Sequence, residues 1–230
     1  MIFRQLIDLE TNTYSFLVAD KQTKEAVIFD PVFEQVDRDY NLIKSLGLSL
    51  KYSIDTHVHA DHITGTTKLR ELSGCLGIVP EFAKVQCADL ILKDNDIVKI
   101  GKIEIKAIAT LGHTDSHNAY LIDNKILLTG DSLLIGGCGR TDFQSGNAGL
   151  MYDSVVNKLF NLPEDTLVYP GHDYKGYTVS TIGEEKRLNL RFLNKTRDEF
   201  IEIMNNLKLP NPKKIIEAVP ANELCGNLKG

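Results

Sequence analysis

Apolar positions along the chain change period several times, and each change marks an element. Ile2 to Asp8, Tyr14 to Ala19 and Glu25 to Asp30 read as three short strands, the last two joined around Asp20-Lys21-Gln22-Thr23. Ala26-Val27-Ile28-Phe29 is continuously apolar, which predicts a strand buried on both faces. Asp30-Pro31 ends it, because proline offers no N–H to a ladder. Val36, Tyr40, Ile43 and Leu46 then recur at helical spacing, and Gly47 supplies the stop. Leu50 to Asp55 is strand-like again, and Ile63, Leu69 and Leu72 predict a helix closed by Gly74.

Two further strands, near Asp96 to Ile100 and Lys102 to Ala109, meet at Gly101. Asn118 to Ile122 and Lys125 to Thr129 form a hairpin pattern around Asp123-Asn124. The second half differs. Gly146 to Leu162 contains a helix with Leu150, Val155, Leu159 and Phe160 on its apolar side, and Thr166 to Tyr169 is a short strand. From Gly183 onward the pattern is helical and more charged, with Phe200, Ile203 and Leu207 facing inward. No short-period repeat, low-complexity tract or interdomain linker interrupts the 230 residues. The expectation is one domain over 1–230, with a short helical C-terminal region from about 183.

Composition narrows the function classes. A net charge of -5 argues against nucleic acid or an anionic membrane surface as the main partner. No apolar run approaches the roughly 20 residues that span a bilayer. Met1-Ile2-Phe3-Arg4-Gln5-Leu6 passes straight into strand-like sequence without a signal-peptide plan. Cys75, Cys87, Cys138 and Cys225 are widely separated, with no C-x-x-C pair; they read as free thiols in a reducing, cytoplasmic location.

The chemistry concentrates in Thr56-His57-Val58-His59-Ala60-Asp61-His62. His57 and His59 sit two apart, so an extended backbone points both to one side. Asp61 and His62 follow where the pattern turns helical, which folds their side chains back toward the same point. Neutral imidazole with carboxylate suits a divalent transition metal. A single such histidine would be read as solvated or capping, but the cluster is not. Of the other histidines, His113 and His172 follow glycines, in Leu111-Gly112-His113-Thr114 and Tyr169-Pro170-Gly171-His172, and Asp131 follows Thr129-Gly130. Ligands on short loops beyond strand ends are held rigidly, and glycine admits close backbone approach. His57, His59, Asp61, His62, His113, Asp131 and His172 therefore form one candidate cluster. Asp30 has two readings of equal weight: a carboxylate that orients a metal ligand, or one that forms the turn before Pro31.

The run THVHADH, followed in order by GH, GD and GH, resembles the metallo-β-lactamase-fold superfamily of hydrolases and oxidoreductases. That resemblance implies an α+β fold: an αββα four-layer sandwich of two β-sheets flanked by helices, with the metal at one edge. It does not select a reaction. The glycine-rich segment Gly130 to Gln144 narrows the choice, because its single guanidinium, Arg140, suits a substrate carboxylate. The plainer reading of Arg140 is an ion pair with Asp142. GCGRTDFQ, Tyr169 to Tyr174, Glu184-Glu185-Lys186-Arg187 and the closing Ala218-Val219-Pro220-Ala221-Asn222 together resemble the persulfide dioxygenases. The likeness runs from Ile2 to Gly226.

What this family implies is oxidation of glutathione persulfide with O2 and water to sulfite and glutathione, at one Fe(II) per chain. Carried onto this chain, the iron ligands are His57, His113 and Asp131, with Tyr174 joining them in catalysis. Such a facial triad leaves positions for a persulfide sulfur and O2 side by side. His59, Asp61, His62 and His172 resemble the second-metal set of the dinuclear hydrolases; in the dioxygenases that position is empty, and these groups surround the iron and the substrate. Arg140, Tyr174 and Arg191 line the glutathione side. A homodimer, and a separate sulfurtransferase or sulfide-oxidising partner, are implied as well.

The chain departs from the family at Gly136, where relatives often carry a basic residue, and at Leu190, a usual proline position that bears on Arg191. His117 lies outside the ligand pattern and reads as hydrogen-bonded structure. Cys138 and Cys225 read as small buried thiols, with oxidation by a nearby persulfide as the sharper alternative. The main competing function is a glyoxalase II-like dinuclear thioesterase that hydrolyses S-lactoylglutathione. Against it, the tail after His172 is short for that family's helical glutathione-binding domain, and TDFQ replaces its usual aromatic sequence. An inert metal-binding or sulfur-carrier module is the alternative from a different class.

Overall fold

A computed structural model describes residues 1–210 and 214–227 of the chain. The first sheet grows from the N-terminal apolar runs: β1 (Ile2–Asp8), β2 (Thr13–Ala19) and β3 (Glu25–Phe29) pair antiparallel in sequence order. Helix α1 (Val36–Ser45) then returns the chain so that β4 (Ser49–Ile54) lies parallel to β3. Helix α2 (Thr66–Ser73) does the same for β5 (Leu76–Pro80), and β6 (Leu90–Leu92) pairs parallel with β5. Parallel neighbours need a crossover, which α1 and α2 supply. The sheet order is β1-β2-β3-β4-β5-β6. The continuous apolar run in β3 is buried as its pattern predicts, together with all of β2. Val36 and Ile43 of α1 and Leu69 of α2 close over Leu17, Ala26 and Ile28. Burying one such Leu or Ile contributes roughly 1.5–3 kcal/mol.

The second sheet begins with β7 (Ile97–Ile100), β8 (Ile103–Ala109), β9 (Asn118–Ile122) and β10 (Ile126–Gly130). Asp123 and Asn124 turn the β9–β10 hairpin with φ of 47° and 54°, the left-handed pair that matches strand twist. Helix α3 (Ala148–Asn157) crosses over to β11 (Leu167–Pro170), which runs parallel to β10, and β12 (Ser180–Thr181) closes the order β12-β11-β10-β9-β8-β7. Then come α4 (Ile182–Leu188), α5 (Arg197–Asn205) and α6 (Ile215–Glu223). Met151 and Val155 of α3 and Phe200 and Met204 of α5 bury against Leu121, Leu127 and Val168. Phe192 and Phe200 stack at 4.8 Å. By internal contacts the chain forms two compact units: Met1–Leu92 with Ile97–Glu104 and the described part of 211–230, and Lys93–Asp96 with Ile105–Pro210. Among the described residues no helix is long and apolar enough to cross a membrane.

Four expectations are corrected. Strands β5 and β6 escape the periodicity reading because Gly77 and Pro80 interrupt the apolar run of β5 and β6 is only three residues long. In α3, Leu150 points outward and Met151 takes the buried place, since Asn147 caps the helix and sets its rotation. The helix after the histidine motif starts at Thr66, so Asp61 and His62 sit in a loop. The cysteines are not all free. Cys87 and Cys225 form a disulfide, with S–S 2.02 Å and Cα–Cα 6.1 Å across a separation of 138 residues. Spacing along the chain says nothing about such a pair, because only the returning C-terminal tail brings the two together. Cys75 and Cys138 remain thiols.

Candidate metal centre

In the first unit Asp30 follows β3, with a φ of 47°, and its carboxylate meets the loop following β4. That carboxylate accepts from the Thr56 N–H at 2.7 Å and the Thr56 hydroxyl at 3.0 Å, and stands 3.0 Å from His59 Nε2. Thr56 gives its proton to Asp30, so its oxygen accepts from the Nδ1–H of His57 at 2.9 Å. The network assigns the tautomer of His57, whose lone pair is on Nε2, and His59 donates its Nε2–H to Asp30. Outer carboxylates that fix imidazole orientation in this way are usual around metals. Asp30 therefore serves the histidine loop with its carboxylate, and the turn before Pro31 is made by its backbone and not by that carboxylate.

The rings of His57 and His59, and of His59 and His62, have centroids 4.2 Å apart, which is the shared side expected from their spacing. His59, Asp61 and His62 offer donor atoms within 4.8 Å of one another, as do Asp30, Asp55 and His59. His59 Nδ1 is buried without a hydrogen bond. Burial opposes charge on His59, but Asp30, with Asp61 and Asp55 behind it, outweighs this and raises its pKa to about 9. Burial pushes Asp55 up to about 6, against the pull of His59. The acid groups favour a cation in this loop, and a divalent metal displaces protons from such a site. Asp55 also accepts from the hydroxyls of Thr64 and Thr66 at 2.9 and 3.2 Å.

In the second unit His113 follows β8. Its Nδ1–H donates to the Arg140 carbonyl at 2.7 Å, which leaves Nε2 with the lone pair, 3.4 Å from Asp131 Oδ2. Two donors on one ion, each about 2.1 Å from it, stand roughly 3.0–3.5 Å apart. Asp131 Oδ1 is buried without a hydrogen bond, 3.6 Å from His172 Nε2. The Asp131 N–H donates to His117 Nε2 at 3.1 Å, so the other nitrogen of His117 donates to Thr110 Oγ1 at 2.8 Å. His117 is hydrogen-bonded structure, as read. The glycines make room: a Cβ on Gly139 would overlap the Asp131 carbonyl, and one on Gly171 would lie 2.8 Å from Asp131 Oδ1.

A cavity of about 200 Å³ opens beside His172, lined also by Cys138, Tyr174, Lys175 and Arg191. Arg191 thus reaches a cavity wall. Tyr174 is 70% exposed, its ring parallel to His172 at 6.0 Å. Arg140 is paired: it forks onto Asp142 at 2.7 and 2.8 Å, donates to the Pro210 carbonyl at 2.7 Å and lies over Phe143. Burial pushes the Cys138 thiol up to about 12, against Arg191, and its sulfur lies 3.8 Å from that of Met204. The sequence reading passed over Asn222, Asp55, Gly139 and Lys175. Asn222 and Gly139 left a signal, as members of AVPAN and GCGRTDFQ, and Asp55 and Lys175 left none.

The family model of the metallo-beta-lactamase superfamily matches residues 9–172. The chain belongs to that superfamily. Its two mixed sheets with flanking helices are the metallo-β-lactamase fold. Persulfide dioxygenase ETHE1, mitochondrial, of Homo sapiens is 46% identical over 228 residues, which cover 98% of this chain and 89% of the human one. The crystal structure of ETHE1 from Myxococcus xanthus superimposes with a TM-score of 0.96 at 51% identity, over 99% of this chain and 100% of that one. Hydroxyacylglutathione hydrolase of Dictyostelium discoideum stands further off, 32% identical over 179 residues, 74% of this chain and 65% of its own. Within the metallo-β-lactamase superfamily, this chain belongs with the persulfide dioxygenases.

Proposed function

We propose that this chain is a persulfide dioxygenase that converts glutathione persulfide, O2 and water into sulfite and glutathione. The near-full-length likeness to ETHE1 proteins carries the reading. In it His57, His113 and Asp131 hold one Fe(II) per chain. The donor set supports this: both imidazoles have Nδ1 occupied and Nε2 presenting the lone pair, and Asp131 adds a buried oxygen without a hydrogen bond. Iron in a two-histidine, one-carboxylate triad supplies redox chemistry with coordination positions left open.

The protein's own groups do the rest. His59, Asp61, His62 and His172 would be outer groups of that site, as the family resemblance implies, and Asp30 holds His59 and, through Thr56, His57. Arg191 and Lys175 attract the carboxylates of glutathione into the cavity. Lys175 lines the same cavity as Gly136, so a cation missing at one position is present at the other. Tyr174 donates its hydroxyl to the persulfide sulfur, and Arg140 binds a carboxylate once it exchanges Asp142 for substrate. A homodimer, a cytoplasmic location and a separate persulfide-producing protein belong to the same proposal; with the disulfide present, the location no longer rests on cysteine usage.

The close donor group of His59, Asp61 and His62 favours a second reading, a glyoxalase II-like thioesterase with two metals. Assaying the purified chain with glutathione persulfide and with S-lactoylglutathione separates the two. Sulfite formation supports the dioxygenase; thioester hydrolysis without sulfite overturns it.

A further inference from the structure

The Cys87–Cys225 disulfide fastens the segment that orders the histidine loop. Cys225 lies two residues beyond α6, and Cys87 lies in the turn before β6, both in the first unit. Asn222, in the last turn of α6, holds the loop from behind. Its amide donates to the His59 and His62 carbonyls at 2.9 and 2.8 Å, and its oxygen accepts from the Thr64 N–H at 2.8 Å. The Cys225 carbonyl accepts from the Thr67 N–H at 3.2 Å and the Thr67 hydroxyl at 2.7 Å. Gly226, at φ 76°, backs so closely onto the Thr64 carbonyl that a Cβ there would overlap it. α6 is a weak anchor alone, because Pro220 inside it removes a helix hydrogen bond.

We propose that Cys87–Cys225 is a reducible clamp on the metal-binding loop, opened by low-molecular-weight thiols. Cys87 is half-buried and Cys225 buried, so attack falls on Cys87. A thiolate forms a bond to the Cys87 sulfur, the S–S bond breaks, and its electron pair leaves on Cys225. A second thiolate attacks the outer sulfur of the mixed disulfide and releases Cys87, giving one small-molecule disulfide. Two thiols lose two electrons and the protein disulfide gains them; the two thiol protons end on Cys87 and Cys225. With the bond cut, Asn222 loses its tether and the loop of His57 to Thr64 opens more often. The clamp does not rest on the persulfide reading, since it concerns backbone order and needs no turnover.

The test uses the whole 230-residue chain in glutathione buffers of rising reducing strength, with alkylation, peptide mass mapping and hydrogen exchange. The linked Cys87–Cys225 peptide disappears as glutathione rises. In the reduced chain, and in Cys87→Ser, amides from His59 to Thr66 exchange about tenfold faster or more, while those of β9 and β10 do not change. A linked peptide that survives excess glutathione overturns the proposal. So does equal exchange of that loop in the oxidised and reduced wild-type chain, which needs no variant to fold.

Discussion

The backbone N–H of Asp131 donates to Nε2 of His117 at 3.1 Å, so a proposed ligand is aimed by a histidine outside the ligand set. The other nitrogen of His117 is fixed by Thr110 at 2.8 Å, and the ring is fully buried. His117→Ala strands a buried donor at a cost of about 1–3 kcal/mol. It also weakens metal affinity by roughly 10–100-fold, the usual effect of losing an outer partner. Denaturant titration and metal titration read the two separately; unchanged affinity would reduce His117 to a packing role.

Asp30 acts on two histidines, one directly and one through Thr56. Asp30→Ala frees both rings to turn. Metal binding is expected to weaken by more than tenfold, at the upper part of the range for such partners. Equilibrium dialysis checks this, and near-parental affinity would show that the loop holds its imidazoles without the carboxylate.

Close approach at Gly171 gives a sharper contrast. Gly171→Ala puts a methyl 2.8 Å from Asp131 Oδ1, with a destabilisation of about 1–3 kcal/mol and loss of bound metal. A Cβ on Gly137 meets nothing within 4 Å, so Gly137→Ala keeps its metal. Metal content of the two purified variants decides the matter.

Arg140 and Asp142 set a pH dependence. The Arg140 fork holds the Asp142 carboxyl below its usual range. Because the folded value is the lower one, the pair stabilises above the unfolded pKa near ~3.9 and this contribution is lost as pH falls through the folded value. Asp142 is half exposed, so the contribution is under about 1 kcal/mol and shrinks with salt. Asp142→Asn is slightly less stable than the parent at pH 7 and matches it at the acid end, as thermal melts at several pH values will show. Arg140→Ala raises KM for glutathione persulfide and leaves kcat nearly unchanged. An unaltered KM makes Arg140 the partner of Asp142 alone.

The chain displays its histidine motif openly, because imidazoles two apart on an extended loop leave a local signature. Buried strands such as Ala26 to Phe29 are equally legible. What escapes is whatever depends on the returning chain: Asn222 behind the His59 loop, and Cys87 beside Cys225. Arg140 illustrates a different limit, since its sequence neighbourhood offered both a substrate and Asp142, and the structure finds it on Asp142. Leu150 and Met151 exchange places because an N-cap sets helix rotation, which apolar spacing alone does not fix to one residue.

Oxygen uptake measured alongside the metal content of the same sample tests the central claim most directly. The account predicts about one iron per chain and oxygen consumption that starts on adding glutathione persulfide and yields sulfite. A chain that carries two zinc ions, hydrolyses S-lactoylglutathione and leaves oxygen untouched would contradict it.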